Sequence, residues 1–144
     1  MSGISIRKTI YLDATPERVW SFLTAPERLA KWFHPSQSPL TEGADYVLTD
    51  VGSGQELIRG RVMSAQPPLC LHFTFEIPPL QERETTVLWT LEAVPGGTRL
   101  SLEHDGLPEG EGAFGLILAL DEGWDAHLGA LRLNVPDVEP EKTN

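Results

Sequence analysis

The sequence predicts an α+β domain: a curved antiparallel sheet wrapped around a long C-terminal helix, with two short helices after the first strand. Three observations predict it. Residues 112–135 carry the longest helical pattern in the chain, with apolar residues recurring at spacings of three and four. Upstream, alternating apolar and polar residues mark strand after strand, punctuated by Gly- and Pro-rich turns. Between the first strand and the others, two helix-start signals follow one another directly.

Each element has its own justification. In residues 4–12, Ile4, Ile6, Ile10 and Leu12 share one face, with Lys8 the exception, while Ser5, Arg7 and Thr9 point the other way. That is a half-buried strand. Thr15 suits an N-cap, Pro16 the first helical position, and Glu17 complements the helix dipole. The helix is expected to reach about Leu23 and to bury Val19, Trp20 and Leu23. Thr24 and Glu27 have capping-box spacing for a second helix, which carries Leu29, Trp32 and Phe33 and stops before Pro35.

A loop over 34–44 precedes a hairpin: a strand at 45–51, a turn at Gly52-Ser53-Gly54, and a return strand at 55–65. The return strand sets Ile58, Gly60 and Val62 against Leu57, Arg59, Arg61 and Met63. Residues 69–77 alternate most clearly, with Leu69, Leu71, Phe73, Phe75 and Ile77 on one face. A polar loop at 78–83 leads to a strand at 84–94 with Val87, Trp89 and Leu91 inward. The last strand, 98–104, turns Leu100, Leu102 and His104 to one side, and acidic, Gly-rich residues 105–111 enter the final helix. Six strands are counted.

A sheet with one apolar face must cover it, and only the C-terminal helix is large enough. Its stripe reads Phe114, Ile117, Asp121, Trp124, Leu128, Leu131, Val135, widened by Leu116, Leu120 and His127. Trp124, Leu128, Phe73, Phe75 and Trp89 are expected to hold helix to sheet, each contributing about 1.5–3 kcal/mol on burial.

The 144 residues fit one domain, assigned to 1–135, with a polar tail at 136–144. A net charge of −10 disfavours nucleic acid and anionic membrane surfaces as partners. The lone Cys70 precludes an intramolecular disulfide and fits a cytoplasmic setting; no signal peptide or membrane span is evident. No phosphate loop, H-E-x-x-H or nucleophile elbow occurs, and His34, His72, His104 and His127 share no ligand spacing. Neither a metal nor a cofactor is expected, and no residue is assigned a catalytic role.

Two polar residues stand on apolar faces. His104 either faces a wet pocket or sits at the strand's rim. Asp121 either anchors a ligand's polar end or pairs with nearby backbone or with Arg59 or Arg61, since a buried carboxylate is costly alone.

The phrases ATPERVWSFLTAPERLAKWF at 14–33, RGRVMSAQPPLCLHFTF at 59–75, GGTRLSLEHDGLPEG at 96–110 and GWDAHLGALRL at 123–133, in this order and spacing, resemble the SRPBCC superfamily of helix-grip, START-like domains. Within it the chain is similar to the family related to the C-terminal domain of activators of the heat-shock-protein-90 ATPase. The resemblance implies a seven-stranded sheet gripping the last helix, with a pocket between them. Superfamily relatives bind lipids, hormones or polyketides, and some catalyse cyclisation or hydrolysis.

The leading expectation is therefore a binding domain for a small hydrophobic molecule. Its candidate ligand-binding residues are Trp32, Phe33, Arg61, Phe73, Phe75, Trp89, His104, Phe114, Ile117, Asp121 and Trp124. Loops 34–44 and 105–111 are the expected mouth, with Gly112 and Gly115 allowing the helix start to shift. A cyclase- or hydrolase-like enzyme is the second expectation, and it needs Asp121 and His104 to converge. A co-chaperone-type interaction module, with a possible homodimer or chaperone contact, is the third.

Overall fold

The computed structural model describes residues 4–77 and 84–136. Six strands, β1 (Ile4–Leu12), β2 (Asp45–Thr49), β3 (Glu56–Gln66), β4 (Cys70–Phe75), β5 (Thr85–Val94) and β6 (Gly97–Leu107), form one curved antiparallel sheet in the order β1-β6-β5-β4-β3-β2. Helices α1 (Pro16–Thr24) and α2 (Pro26–Trp32) follow β1, and α3 (Phe114–Asn134) follows a 3-10 turn at Glu111–Ala113. Strands β2 to β6 make a meander. β1 joins beside β6, with Ile6 opposite His104 and Leu12 opposite Thr98. β1 and β2 thus lie at opposite edges, and α1 and α2 carry the chain between them.

Local chemistry sets the element ends. Thr15 caps α1 by accepting from the Arg18 backbone N–H at 3.2 Å. The helix buries Val19, Phe22 and Leu23, an i, i+3, i+4 set. Trp20, expected inward, is rotated off that face and only part-buried. The capping box at Thr24 does not form. α1 runs through Thr24, whose hydroxyl donates back to the Trp20 carbonyl at 3.0 Å, and Ala25 is the N-cap of α2 instead. β2 stops at Thr49 because the Asp50 carboxylate accepts the backbone N–H groups of Gly52 at 3.1 Å and Ser53 at 2.9 Å, closing the turn. β6 runs three residues beyond the expected His104. Gly106 takes φ +84°, and the β1–β6 register shifts between Ile4 and Ile6, so that Leu107 still pairs with Ile4.

Three further expectations need correcting. The resemblance implies seven strands; six are present among the described residues, with Ser36 joined to Leu48 by an isolated bridge. Leu69 lies in the turn before β4 and is exposed, not inward. Phe114, at the first turn of α3, is likewise exposed. The expected loop at 78–83 and the tail beyond Pro136 lie outside the described residues.

The core sits between the sheet and the helices. Phe73, Phe75, Trp89, Trp124 and Leu128 are all buried, as the helix-to-sheet attachment requires. Trp32 also enters this layer, donating its indole N–H to the Phe22 carbonyl at 2.8 Å. At the other end, the Arg18 guanidinium donates to the Val135 carbonyl at 2.6 Å, tying α1 to the C-terminus of α3. No described helix is long and apolar enough to cross a membrane.

Candidate functional site

Trp124 is the hub of the helix–sheet seam. Its ring lies 5.5 Å from that of Phe33 in a stacked pair, 5.7 Å from Trp89 edge-on, and 5.9 Å from Phe75. Its indole N–H donates to His104 Nδ1 at 3.1 Å. An indole nitrogen only donates, so Nδ1 is the acceptor and the His104 proton sits on Nε2. That nitrogen is 2.9 Å from Thr85 Oγ1, whose own hydroxyl donates to the Phe75 carbonyl at 2.6 Å. Each member of this buried relay is satisfied. Burial holds the His104 imidazole neutral, its pKa pushed down to about 4 despite the neighbouring Asp105 carboxylate.

Beside Trp124 lies a cavity of about 140 Å³, lined by Phe33, His34, Ile58, Phe75, Ile77, Ala119, Leu120, Gly123, Trp124 and His127. The middle of α3 forms one wall, the start of β3 and the end of β4 another, and the exit of α2 the third. The space exists because α3 presents two small residues there, Ala119 and Gly123, one turn apart. A Cβ on Gly123 would meet no heavy atom within 4 Å. The cavity opens to solvent, since Ala119 is exposed and Phe33, His34, Ile77, Leu120 and His127 are only part-buried.

Its polar groups are two imidazoles. The His34 and His127 rings stand 5.3 Å apart, and both lie edge-on or tilted against Phe33. His127 Nδ1 is 3.1 Å from the Trp32 carbonyl. Burial lowers the pKa of both rings below the ordinary histidine value; His127 adds to the effect on His34, and Asp50 opposes it. Among the described residues no third His, Cys, Asp or Glu joins them, so the pair lacks the ligand set of a metal centre.

Of the candidate ligand-binding residues, the structure gathers Phe33, Phe75 and Trp124 at the cavity. Trp32, Phe73, Trp89 and Ile117 are buried in the core away from it, and His104 lies behind Trp124 in its relay. Phe114 is exposed on α3. Arg61 sits on the opposite face of the sheet, exposed and 3.4 Å from the Asp45 carboxylate. Asp121 is neither a core acid nor a cavity group. It pairs with Lys8 Nζ at 2.7 Å, and Asp125 adds a second contact at 3.0 Å. Its partner is Lys8, the one charge on the inward face of β1, and not Arg59, Arg61 or backbone. The carboxylates outweigh the effect of burial and raise the Lys8 pKa. Asp121 and His104 therefore do not meet at the cavity, as an acid–base pair would require.

Residues missed from sequence include His34, Ile58, Ile77, Ala119, Leu120, Gly123 and His127. The row Leu120, Gly123, His127, running beside the main stripe of α3, is the signal that could have found three of the ten lining residues. Of the two expected mouths, loop 34–44 contributes His34, and loop 105–111 contributes nothing.

A family model described as "Activator of Hsp90 ATPase homolog 1-like protein" matches residues 13–135. No curated protein matches the chain significantly. Among solved structures, CalU16 from Micromonospora echinospora is 26% identical with a TM-score of 0.75, the match covering 96% of this chain and 78% of that one. Protein CV1439 from Chromobacterium violaceum is 26% identical with a TM-score of 0.74, covering 93% and 99%. The Aha1 dimer from Colwellia psychrerythraea is 19% identical with a TM-score of 0.76, covering 93% and 97%, a likeness of fold alone.

Proposed function

The chain belongs to the Activator of Hsp90 ATPase homolog 1-like family, and from that premise we propose that it is a binding domain for a small hydrophobic molecule, seated between the sheet and α3. The cavity beside Trp124 carries the reading: apolar walls with a few polar groups at the edge are the usual make-up of a ligand site. At about 140 Å³ it is below the range of drug-sized sites, roughly 300–1,000 Å³, and close to the roughly 150 Å³ that admits benzene. The occupant is therefore small, on the scale of one ring. Sterols and long acyl chains do not fit without opening the seam.

A thermal-shift series with toluene, a medium-chain fatty acid and a sterol tests this. A ligand that binds only the folded state raises the melting temperature with its concentration. Toluene is expected to do so and the sterol is not. No shift from any of them counts against the reading.

A second reading, self-association, draws on α3 itself. Phe114 and Leu118, one turn apart, are both exposed. Sedimentation of the wild type against Phe114→Ser tests it: a dimer that the substitution dissociates supports the reading, and a wild-type monomer at high concentration sinks it.

A further inference from the structure

The ring nitrogens at the cavity edge specify more than an apolar occupant. His127 Nδ1 lies 3.1 Å from the Trp32 carbonyl. A carbonyl oxygen only accepts, so Nδ1 must carry the proton. With burial keeping the ring neutral, Nε2 is left with a bare lone pair. Among the described residues no hydrogen bond is made to Nε2 or to the His34 ring, and these nitrogens face solvent at the cavity mouth. His34, free to present a donor or an acceptor, stands 5.3 Å away, ring centre to ring centre, on the same cavity.

From this arrangement we infer that the cavity selects a single-ring apolar molecule bearing a hydroxyl group, a simple phenol being the type. The ring lies against Phe33, Phe75 and Trp124. The hydroxyl hydrogen is donated to His127 Nε2, and its oxygen accepts from His34. A hydroxyl is the group that both gives and takes at one atom. A carbonyl offers Nε2 no hydrogen. A carboxylate sets its charge against the lone pair and must be desolvated as well. An unsubstituted ring offers neither nitrogen a hydrogen bond and leaves both to solvent at the cavity mouth. The inference rests on the pocket reading above and names the chemistry of its occupant.

The test is calorimetric titration of p-cresol and toluene, molecules of nearly one shape, into the wild type and His127→Phe. A site built to bond a hydroxyl loses it on removal of the partner, so the p-cresol-to-toluene affinity ratio is expected to fall about tenfold in the variant, and if the variant binds neither ligand the wild-type nitrogen NMR below decides. Should His127→Phe fail to fold, nitrogen NMR of the wild type decides. The His127 Nε2 resonance is expected to move with p-cresol and to stay in place with toluene. If both ligands bind but the ratio is the same in both proteins, or Nε2 responds equally to each, the hydroxyl assignment is overturned and the pocket survives. If neither ligand binds the wild type, the pocket reading falls and the assignment with it.

Discussion

His104 is the residue whose surroundings most constrain its role. Every polar atom of its ring has a partner, and those partners are the core Trp124 and Thr85, so its work is to fix the seam and not to exchange protons with a ligand. Its low pKa has a sign. With a folded value of about 4 against 6.5 when unfolded, the unfolded chain binds the extra proton between those values. Stability therefore falls as pH drops through that window, by on the order of 3 kcal/mol in all. Urea denaturation at pH 7, 6 and 5 is expected to show the loss, and His104→Gln is expected to reduce it, the remainder belonging to His34 and His127, whose pKa values burial also lowers. Asp121 makes the contrasting case. Its side chain is 44% exposed and its pairing with Lys8 is an ion pair at the molecule's edge. Asp121→Asn is expected to cost no more than about 1 kcal/mol by chemical denaturation and to leave toluene binding unchanged. A loss of binding with stability intact would restore Asp121 to the site.

At the scale of elements, the cavity depends on what α3 lacks. Gly123→Leu places a side chain in the open space next to Trp124 and is expected to abolish toluene binding while melting cooperatively near the wild-type temperature. A variant that still binds would put the ligand elsewhere. In β3, Gly60 answers to packing: a Cβ there would lie 2.1 Å from the Thr74 carbonyl oxygen, the same oxygen that accepts the Tyr46 hydroxyl at 2.5 Å. Gly60→Ala is expected to destabilise by about 1–3 kcal/mol, read as a lowered urea midpoint. Neither glycine's role was legible in the sequence, because both depend on a neighbouring element. What periodicity did carry was the identity and order of the strands and the helix stripe, where alternation and three-four spacing report burial directly. It failed at ends. Asp50 closes its turn early, Gly106 lets β6 run on, and Thr24 bonds backwards instead of capping. Each is a side-chain or backbone choice between two local partners, and pattern does not resolve such choices. The site was legible only in part for a related reason. Phe33, Phe75 and Trp124 are inward by pattern, but so are Phe73 and Trp89, and only the gap over Ala119 and Gly123 separates cavity wall from solid core.

For the whole molecule, the arrangement is a sheet whose first and last strands pair, a long helix laid on its apolar face, and two short helices that bridge the edges. Such a frame is closely packed where aromatic rings meet around Trp124 and hollow where α3 presents Ala119 and Gly123. The central claim is that the hollow is a ligand site and not a packing defect. It is tested most directly by two-dimensional nitrogen–proton NMR during a toluene titration. The expected result is saturable displacement of the Trp124 indole and the Ala119 and Gly123 amide signals, absent in Gly123→Leu. Signals that stay in place up to the solubility limit of toluene, or that shift equally in the filled variant, would contradict it.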